Sequence, residues 1–400
     1  MSGSTSPSAA PVASFALSSN VPIRFGVDRV GKLADDVNKL AGEAASLLLV
    51  ADPGLGALTE RVAGLLVAGG HRVAIFSDIR SDPLGRQVDA AADQARSNAA
   101  TAVICLGGGS TLDAGKLVAA VAGGDKPAEY YGLAANPFPK KQLKKICIPT
   151  TSGTGSEATT IAVITNSRDE KIWCWGRELK AELAVLDPRL VVGLPPHLTA
   201  ATGADALVHA IEATTNRNAN LMNDAVCLQA IRLIARHLPR AVSQPDDLEA
   251  RGAMQLAACL AGIGIDNAGT AVAHALGHAL GAVGHIHHGR AVAISLRVAI
   301  GWNAEADPER HAQVAAALGI PVEGRKSTDV AGDLAPAFDA FLRRIKLDIS
   351  LAGDGLSMAD STRLAETTMA PENAVMRNSN IRPILAEDAR RFAATILSAA

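Results

Sequence analysis

The sequence predicts a doubly wound, parallel-sheet α/β domain followed by an all-helical domain, and three observations carry that reading. Through the first half, short apolar runs alternate with helical segments at intervals of roughly 25–30 residues, the rhythm of parallel strands joined by crossover helices. Two loops rich in glycine and hydroxyl residues follow two of those runs, at 107–110 and 149–157. Beyond Pro195-Pro196 the strand-like runs vanish and only helical spacing remains.

Taken in order, residues 1–20 form a Ser/Ala/Pro-rich leader expected to be mobile. PIRFG at 22–26 opens the folded part, and a polar amphipathic segment covers 32–40. SLLLVA at 46–51 is a continuous apolar run closed by Asp52-Pro53-Gly54, which reads as a strand buried on both faces. A helix at 56–69, a strand at 71–76, a helix at 83–98 and a strand at 102–106 follow. The next strand is expected at 145–148, an antiparallel hairpin at 160–165 and 171–175, and a last strand at 184–186. The domain boundary is therefore drawn at 195, giving an α/β domain over 21–195 and a helical domain over 196–400. Helical spacing recurs at 208–213, 225–237, 248–263 and 272–280, and a final helix is expected at about 386–399.

Composition narrows the class. Aromatic residues are only 3%, so the cores must be built from Ala, Val, Leu and Ile. A formal charge of −2 gives no electrostatic case for nucleic acid or an anionic membrane. No apolar run reaches the roughly 18–20 residues that span a bilayer. The leader lacks a basic start and a sustained apolar stretch, so no signal peptide is read there. Five cysteines without a CxxC pair suit reduced core residues of a cytoplasmic protein.

The strand at 102–106 runs into Gly107, Gly108, Gly109 and Ser110, and then into helical TLDAGK. Glycines there let backbone approach a ligand, and the free N–H groups of a helix N-terminus attract an anion. PTTSGTGSE at 149–157 follows another strand with two glycines and five hydroxyls. Two such loops at strand ends of one sheet favour a dinucleotide over two ordinary turns.

Half of the ten histidines lie between Gly269 and Ala293. His274 and His278 share a helix face, and His285, His287 and His288 follow after Gly281 and Gly284, which loosen the chain. Such a cluster suits a cation but lacks a carboxylate. Asp205 and His209, four apart in TGADALVHAIEA, supply it. One oxygen and three nitrogens suit Fe(II), Zn(II), Co(II) or Mn(II) without choosing among them.

These motifs resemble the iron-containing (group III, metal-dependent) alcohol dehydrogenases, more distantly related to glycerol dehydrogenase and dehydroquinate synthase. The likeness runs from about Pro22 to the last helix. It rests on GGGS with Asp113 and Lys116 behind it, PTTSGTGSE, DALVHAIE at 205–212 and HALGHALGAVGHIHHG at 274–289. It implies a Rossmann-like nucleotide domain and a helical metal domain, the dehydroquinate synthase-like fold. The implied metal ligands are Asp205, His209, His274 and His288, with Fe(II) the implied ion. His278 falls between metal and nicotinamide as a catalytic residue. The implied cofactor contacts are Asp52, Gly107, Gly108, Gly109, Ser110, Asp113, Thr150, Thr151, Thr154 and Lys171. Asp52 would accept from a ribose hydroxyl and repel a 2′-phosphate, so NAD is expected over NADP.

The implied activity is hydride transfer between a nicotinamide and a small alcohol or aldehyde, in a homodimer or higher homo-oligomer. The alternatives are a dehydroquinate synthase-like lyase or cyclase and a non-catalytic nucleotide-binding protein. Ile161, Ile265, Arg290 and Met376 are expected to line the substrate pocket. Several positions depart from the family pattern: Ile265 stands where many relatives have an aromatic residue, and Asp266 replaces a small hydroxyl residue. His285 and His287 replace the commoner polar and proline residues, and Asn380-Ile381-Arg382 replaces Asn-Pro-Arg. Arg290, able to grip an acid through two N–H groups, points to a substrate carrying a polar or anionic group.

Overall fold

The computed structural model describes residues 15–18 and 21–398. Most of the leader at 1–20 lies outside those residues. Ser18 is described, and it hydrogen-bonds Asp266 and Asn267.

Among the described residues, eight strands form two sheets: β1 (Ile23–Phe25), β2 (Ser46–Ala51), β3 (Arg72–Phe76), β4 (Ala102–Gly107), β5 (Lys144–Pro149), β6 (Ile161–Thr165), β7 (Lys171–Trp175) and β8 (Leu183–Leu186). Six of them make one parallel sheet in the order β1-β8-β5-β4-β2-β3, and β6 and β7 pair antiparallel as expected. The central strands β2 and β4 are buried throughout, which explains why their sequences are continuous apolar runs. Strand β1 was not foreseen, because three residues with Arg24 at their centre carry no period. Its place comes from pairing with β8 at the sheet edge.

Helices α1 (Leu33–Ala41), α2 (Gly56–Ala68), α3 (Gly85–Ser97) and α4 (Gly109–Val121) wrap the sheet. Leu33, Val37, Val62 and Leu66 from α1 and α2 pack on one face with Leu47 and Leu49. Val88, Ala91, Leu117 and Val118 from α3 and α4 pack on the other with Leu48 and Val50. The chain leaves β2 for β3 in one direction and returns past β2 to β4, so the strand order reverses between β2 and β4. The carboxyl ends of these two strands are held together by Asp52 N–H donating to Leu106 O at 3.0 Å. A crevice at such a reversal is where open parallel sheets bind ligands.

From Pro196 onward the chain is helical: α5 (Pro196–Thr215), α6 (Leu221–Ser243), α7 (Leu248–Ala268), α8 (Val272–Gly284) and α9 (His288–Ala304), with shorter helices over 308–398. Helix α5 is enclosed by α6, α7 and α9, which explains its apolar residues on nearly every side. Gly281 and Gly284, read as loosening the chain, both lie within α8. The helix continues to Gly284, where a Cβ would lie 2.6 Å from Leu356, and it ends at left-handed His285. The missing Cβ at Gly284 leaves room for the Leu356 side chain. The two halves meet at another glycine pair. Gly155, at φ +62°, would carry a Cβ 2.5 Å from Ala258 O and 2.6 Å from Gly262 in α7. No single helix among the described residues is long and apolar enough to cross a membrane.

Candidate metal and nucleotide site

Helix geometry places Asp205 and His209 one turn apart on α5, and both are buried. His274 enters from α8 and His288 from the start of α9. Gly289 lets α9 press against α5, since a Cβ there would sit 2.2 Å from Ala201 O. The result is convergence. Asp205 Oδ1 lies 3.8 Å from His209 Nε2, 3.9 Å from His274 Nε2 and 3.6 Å from His288 Nε2. One ligand atom from each of the four residues lies within 4.8 Å of every other.

Asp205 Oδ1 and His274 Nε2 are buried without any hydrogen-bond partner. Buried polar atoms of this kind are costly unless something satisfies them. A tetrahedral ion with bonds of about 2.1 Å would set its ligands about 3.4 Å apart, close to the spacing observed. Burial also lowers the His274 imidazole well below its usual range, leaving a neutral ring with a lone pair, the form that ligates a cation.

Sequence reading missed Glu212. It is buried on α5, three residues beyond His209 and seven beyond Asp205. Glu212 accepts from the N–H groups of Ala271 at 2.8 Å and Ala273 at 2.6 Å, and it bonds His274 Nδ1 at 2.6 Å. Burial pushes its carboxyl up to about 7, while these donors pull it down. The bond fixes His274 with Nε2 toward Asp205, the role a carboxylate plays behind a metal-bound imidazole. Its signal was visible in DALVHAIE as an acid at helical spacing from both ligands.

His278 lies one turn beyond His274, with ring centroids 6.4 Å from His274 and 5.3 Å from His288. Burial pushes its imidazole down to about 4. It stands next to the four convergent residues without being one of them.

The two nucleotide loops face each other over the carboxyl edge. A Cβ on Gly108 would lie 3.3 Å from Thr151, and one on Gly109 would lie 2.4 Å from Thr154. The missing Cβ at Gly109 in particular lets the two loops approach closely. Thr150 N–H donates to Gly107 O at 2.9 Å. Gly108 caps α4 with no side-chain acceptor, so the first N–H groups of the helix stay free for an anion. Lys171 Nζ pairs with Asp82 at 2.8 Å, and the Asp82 N–H reaches Ser110 Oγ at 3.3 Å, which keeps Lys171 beside the loop. Asp52 stands at the end of β2, where its Oδ1 accepts from Gly54 N–H at 2.8 Å.

Hydrogen bonding gives two of the expected site residues partners within the protein. Asp113 faces inward: its oxygens take Ser156 Oγ at 2.5 Å, Lys116 Nζ at 3.2 Å and Val163 N–H at 3.0 Å. With fully buried Lys116, which donates to Ser156 O and Ile161 O, it braces the second loop rather than presenting a free carboxylate. Arg290 does not point free donors at a substrate. Its guanidinium grips both oxygens of Asp354 at 3.0 and 2.8 Å and also donates to the carbonyls of Asp348 and Ser350. Ile161 on β6 and Ile265 near the end of α7 are half-buried, as is Met376 on a short helix packed against α8.

A profile described as iron-containing alcohol dehydrogenase matches residues 20–188, and one described as the C-terminal part of the Fe-containing alcohol dehydrogenase family matches 199–395. A sulfoacetaldehyde reductase of Bilophila wadsworthia is 33% identical over 362 residues, covering 89% of this chain and 92% of that protein. A long-chain-alcohol dehydrogenase of Geobacillus thermodenitrificans is 34% identical over 381 residues, covering 93% and 95%. The solved sulfoacetaldehyde reductase of Bifidobacterium kashiwanohense, in complex with NAD+, superposes with a TM-score of 0.87 at 26% identity, covering 97% of this chain and 100% of that one. The chain therefore belongs to the iron-containing alcohol dehydrogenase family, an oxidoreductase class that acts on the CH–OH group of small alcohols or on the matching aldehydes.

Proposed function

We propose that this protein exchanges hydride between NAD(H) and a small alcohol or aldehyde at a ferrous centre held by Asp205, His209, His274 and His288. One observation carries the reading: three imidazole Nε2 atoms surround a single buried, unpartnered carboxylate oxygen. A divalent ion bound there would supply Lewis-acid chemistry toward the substrate oxygen. The family name supports iron, and the mixed oxygen and nitrogen donor set also suits Zn(II), Mn(II) or Co(II).

The chain's own residues divide the remaining work. Glu212 holds His274 in one orientation. Gly107 to Ser110 and the start of α4 offer backbone N–H groups to a pyrophosphate, and Thr150, Thr151 and Thr154 face them across the crevice. His278 stands beside the ligands, where a neutral imidazole can place the nicotinamide or pass a proton. Asp52 supports a preference for NAD, since a carboxylate at the end of β2 accepts from a ribose hydroxyl and repels a phosphate. The relatives' substrates span a sulfonated aldehyde and long-chain alcohols. Arg290, spent on Asp354, gives no reason to require an acidic group. The lyase reading loses support for the same cause, because it relied on free basic residues around a phosphorylated substrate.

The test is metal analysis of His274→Ala. The variant is expected to fold, to lose the ion and to lose NADH turnover together. Full metal content with full turnover would remove the ligand assignment.

A further inference from the structure

We infer that Asp266 is a positioning residue, latching the nucleotide loop to the helix that frames the metal ligands and so setting the width of the cleft. The inference rests on the function proposed above. Asp266 lies in the last turn of α7, in the helical domain. Its Oδ1 accepts two bonds from Thr160 of the α/β domain, from N–H at 2.7 Å and from Oγ1–H at 2.6 Å. Because the hydroxyl spends its proton on Asp266, Thr160 Oγ1 is left as an acceptor. It takes the indole N–H of Trp175 at 3.2 Å. The other oxygen, Oδ2, accepts from Ser18 Oγ at 3.1 Å. The chain of bonds has one direction, Trp175 to Thr160 to Asp266, and ends on the only carboxylate in it.

Both ends of this latch are rigidly tied to the site. On the nucleotide side, Thr160 lies three residues beyond the end of PTTSGTGSE. Lys116 Nζ grips the residues around it through Ser156 O at 2.8 Å, Thr159 Oγ1 at 3.1 Å and Ile161 O at 2.6 Å. On the metal side, the carbonyls of Ala268 and Gly269 just past Asp266 accept from Asn216 at the end of α5, at 3.0 and 2.9 Å. The N–H groups of Ala271 and Ala273 then bond Glu212, which orients His274. A displacement of Thr160 relative to Asp266 therefore moves the nucleotide loop relative to the His274 helix. Hydride transfer depends steeply on that separation. Asn can accept at the same place, whereas Ala cannot, so the two substitutions separate latching from mere space filling.

The experiment compares Asp266→Ala and Asp266→Asn in the full-length, metal-loaded protein, by NADH fluorescence titration, steady-state KM and kcat, bound metal and thermal midpoint. Asp266→Ala removes both bonds from Thr160 and is expected to weaken NADH binding and raise the alcohol KM about tenfold. Bound metal stays at the unmodified level, and Asp266→Asn stays within about twofold of the unmodified chain. The inference is overturned if Asp266→Ala leaves NADH binding and KM unchanged, or if Asp266→Asn loses as much as Asp266→Ala. Should Asp266→Ala fail to fold, Thr160→Val against Thr160→Ser asks the same question through the hydroxyl alone. Failure of the unmodified chain to bind NADH would instead defeat the functional reading.

Discussion

At the scale of single residues, the site is defined by what its polar atoms lack and by what stands behind them. Asp205 Oδ1 and His274 Nε2 are buried and bare, while His274 Nδ1 is tightly held by Glu212. That asymmetry predicts the effect of Glu212→Gln. The amide keeps the size of the side chain but offers only one oxygen to the three donors now sharing the carboxylate. Metal affinity should fall about 10- to 100-fold with the fold retained, as for other carboxylates behind a metal-bound histidine. Competition with a calibrated chelator measures this, and unchanged affinity would reduce Glu212 to a packing role. Residue types alone pointed to Asp205, His209 and two of the later histidines, because a His/Asp set at helical spacing is chemically conspicuous, and the family resemblance picked out His274 and His288 among them. Residue types did not reveal the state of Asp113 or Arg290, whose side chains depend on partners, Ser156 and Asp354, that lie 43 and 64 positions away.

At the scale of elements, period and bounding residues carried most of the information. Strands β2 and β4 are continuous apolar runs because both sheet faces are covered, and their ends are marked by Asp52-Pro53-Gly54 and the triple glycine. Edge strand β1 escaped because pairing with β8, rather than its own pattern, makes it a strand. The persistence of α8 through Gly281 and Gly284 has a similar cause, since tertiary packing against α9 and Leu356 outweighs the weak helix propensity of glycine. Glycines at close contacts are more consequential than those two. Gly155 combines a left-handed φ of +62° with a Cβ position 2.5 Å from the Ala258 carbonyl. Gly155→Ala should destabilise the protein by ~1–3 kcal/mol through strain and overpacking. It should also weaken nucleotide binding, because the same loop presents Thr150 to Thr154. Urea unfolding together with NADH titration checks both effects, and an unchanged midpoint would mean that the loop shifts away from α7 without cost.

At the scale of the whole molecule, two layers built on different rules share one crevice. The parallel sheet supplies a glycine loop at the end of β4, beside the reversal, and a threonine loop at the end of neighbouring β5, and the helical domain supplies a cluster of bases around one acid. Their joint presence makes the chain a metal- and nucleotide-dependent alcohol or aldehyde oxidoreductase rather than a nucleotide-binding protein alone. The switch from strands to helices was legible in the sequence as the loss of strand-like runs after Pro195-Pro196. How the layers are held together was not, because Gly155 against Gly262 and Thr160 against Asp266 join positions more than a hundred residues apart. The most direct test strips the protein of divalent ions with a chelator, reloads it with Fe(II) without oxygen, and follows NADH oxidation with a short aldehyde. The account predicts no turnover in the stripped protein and its return at one Fe(II) per chain, with NADH bound in both states. Equal turnover before and after stripping, or none after reloading although NADH and iron are both bound, would contradict it.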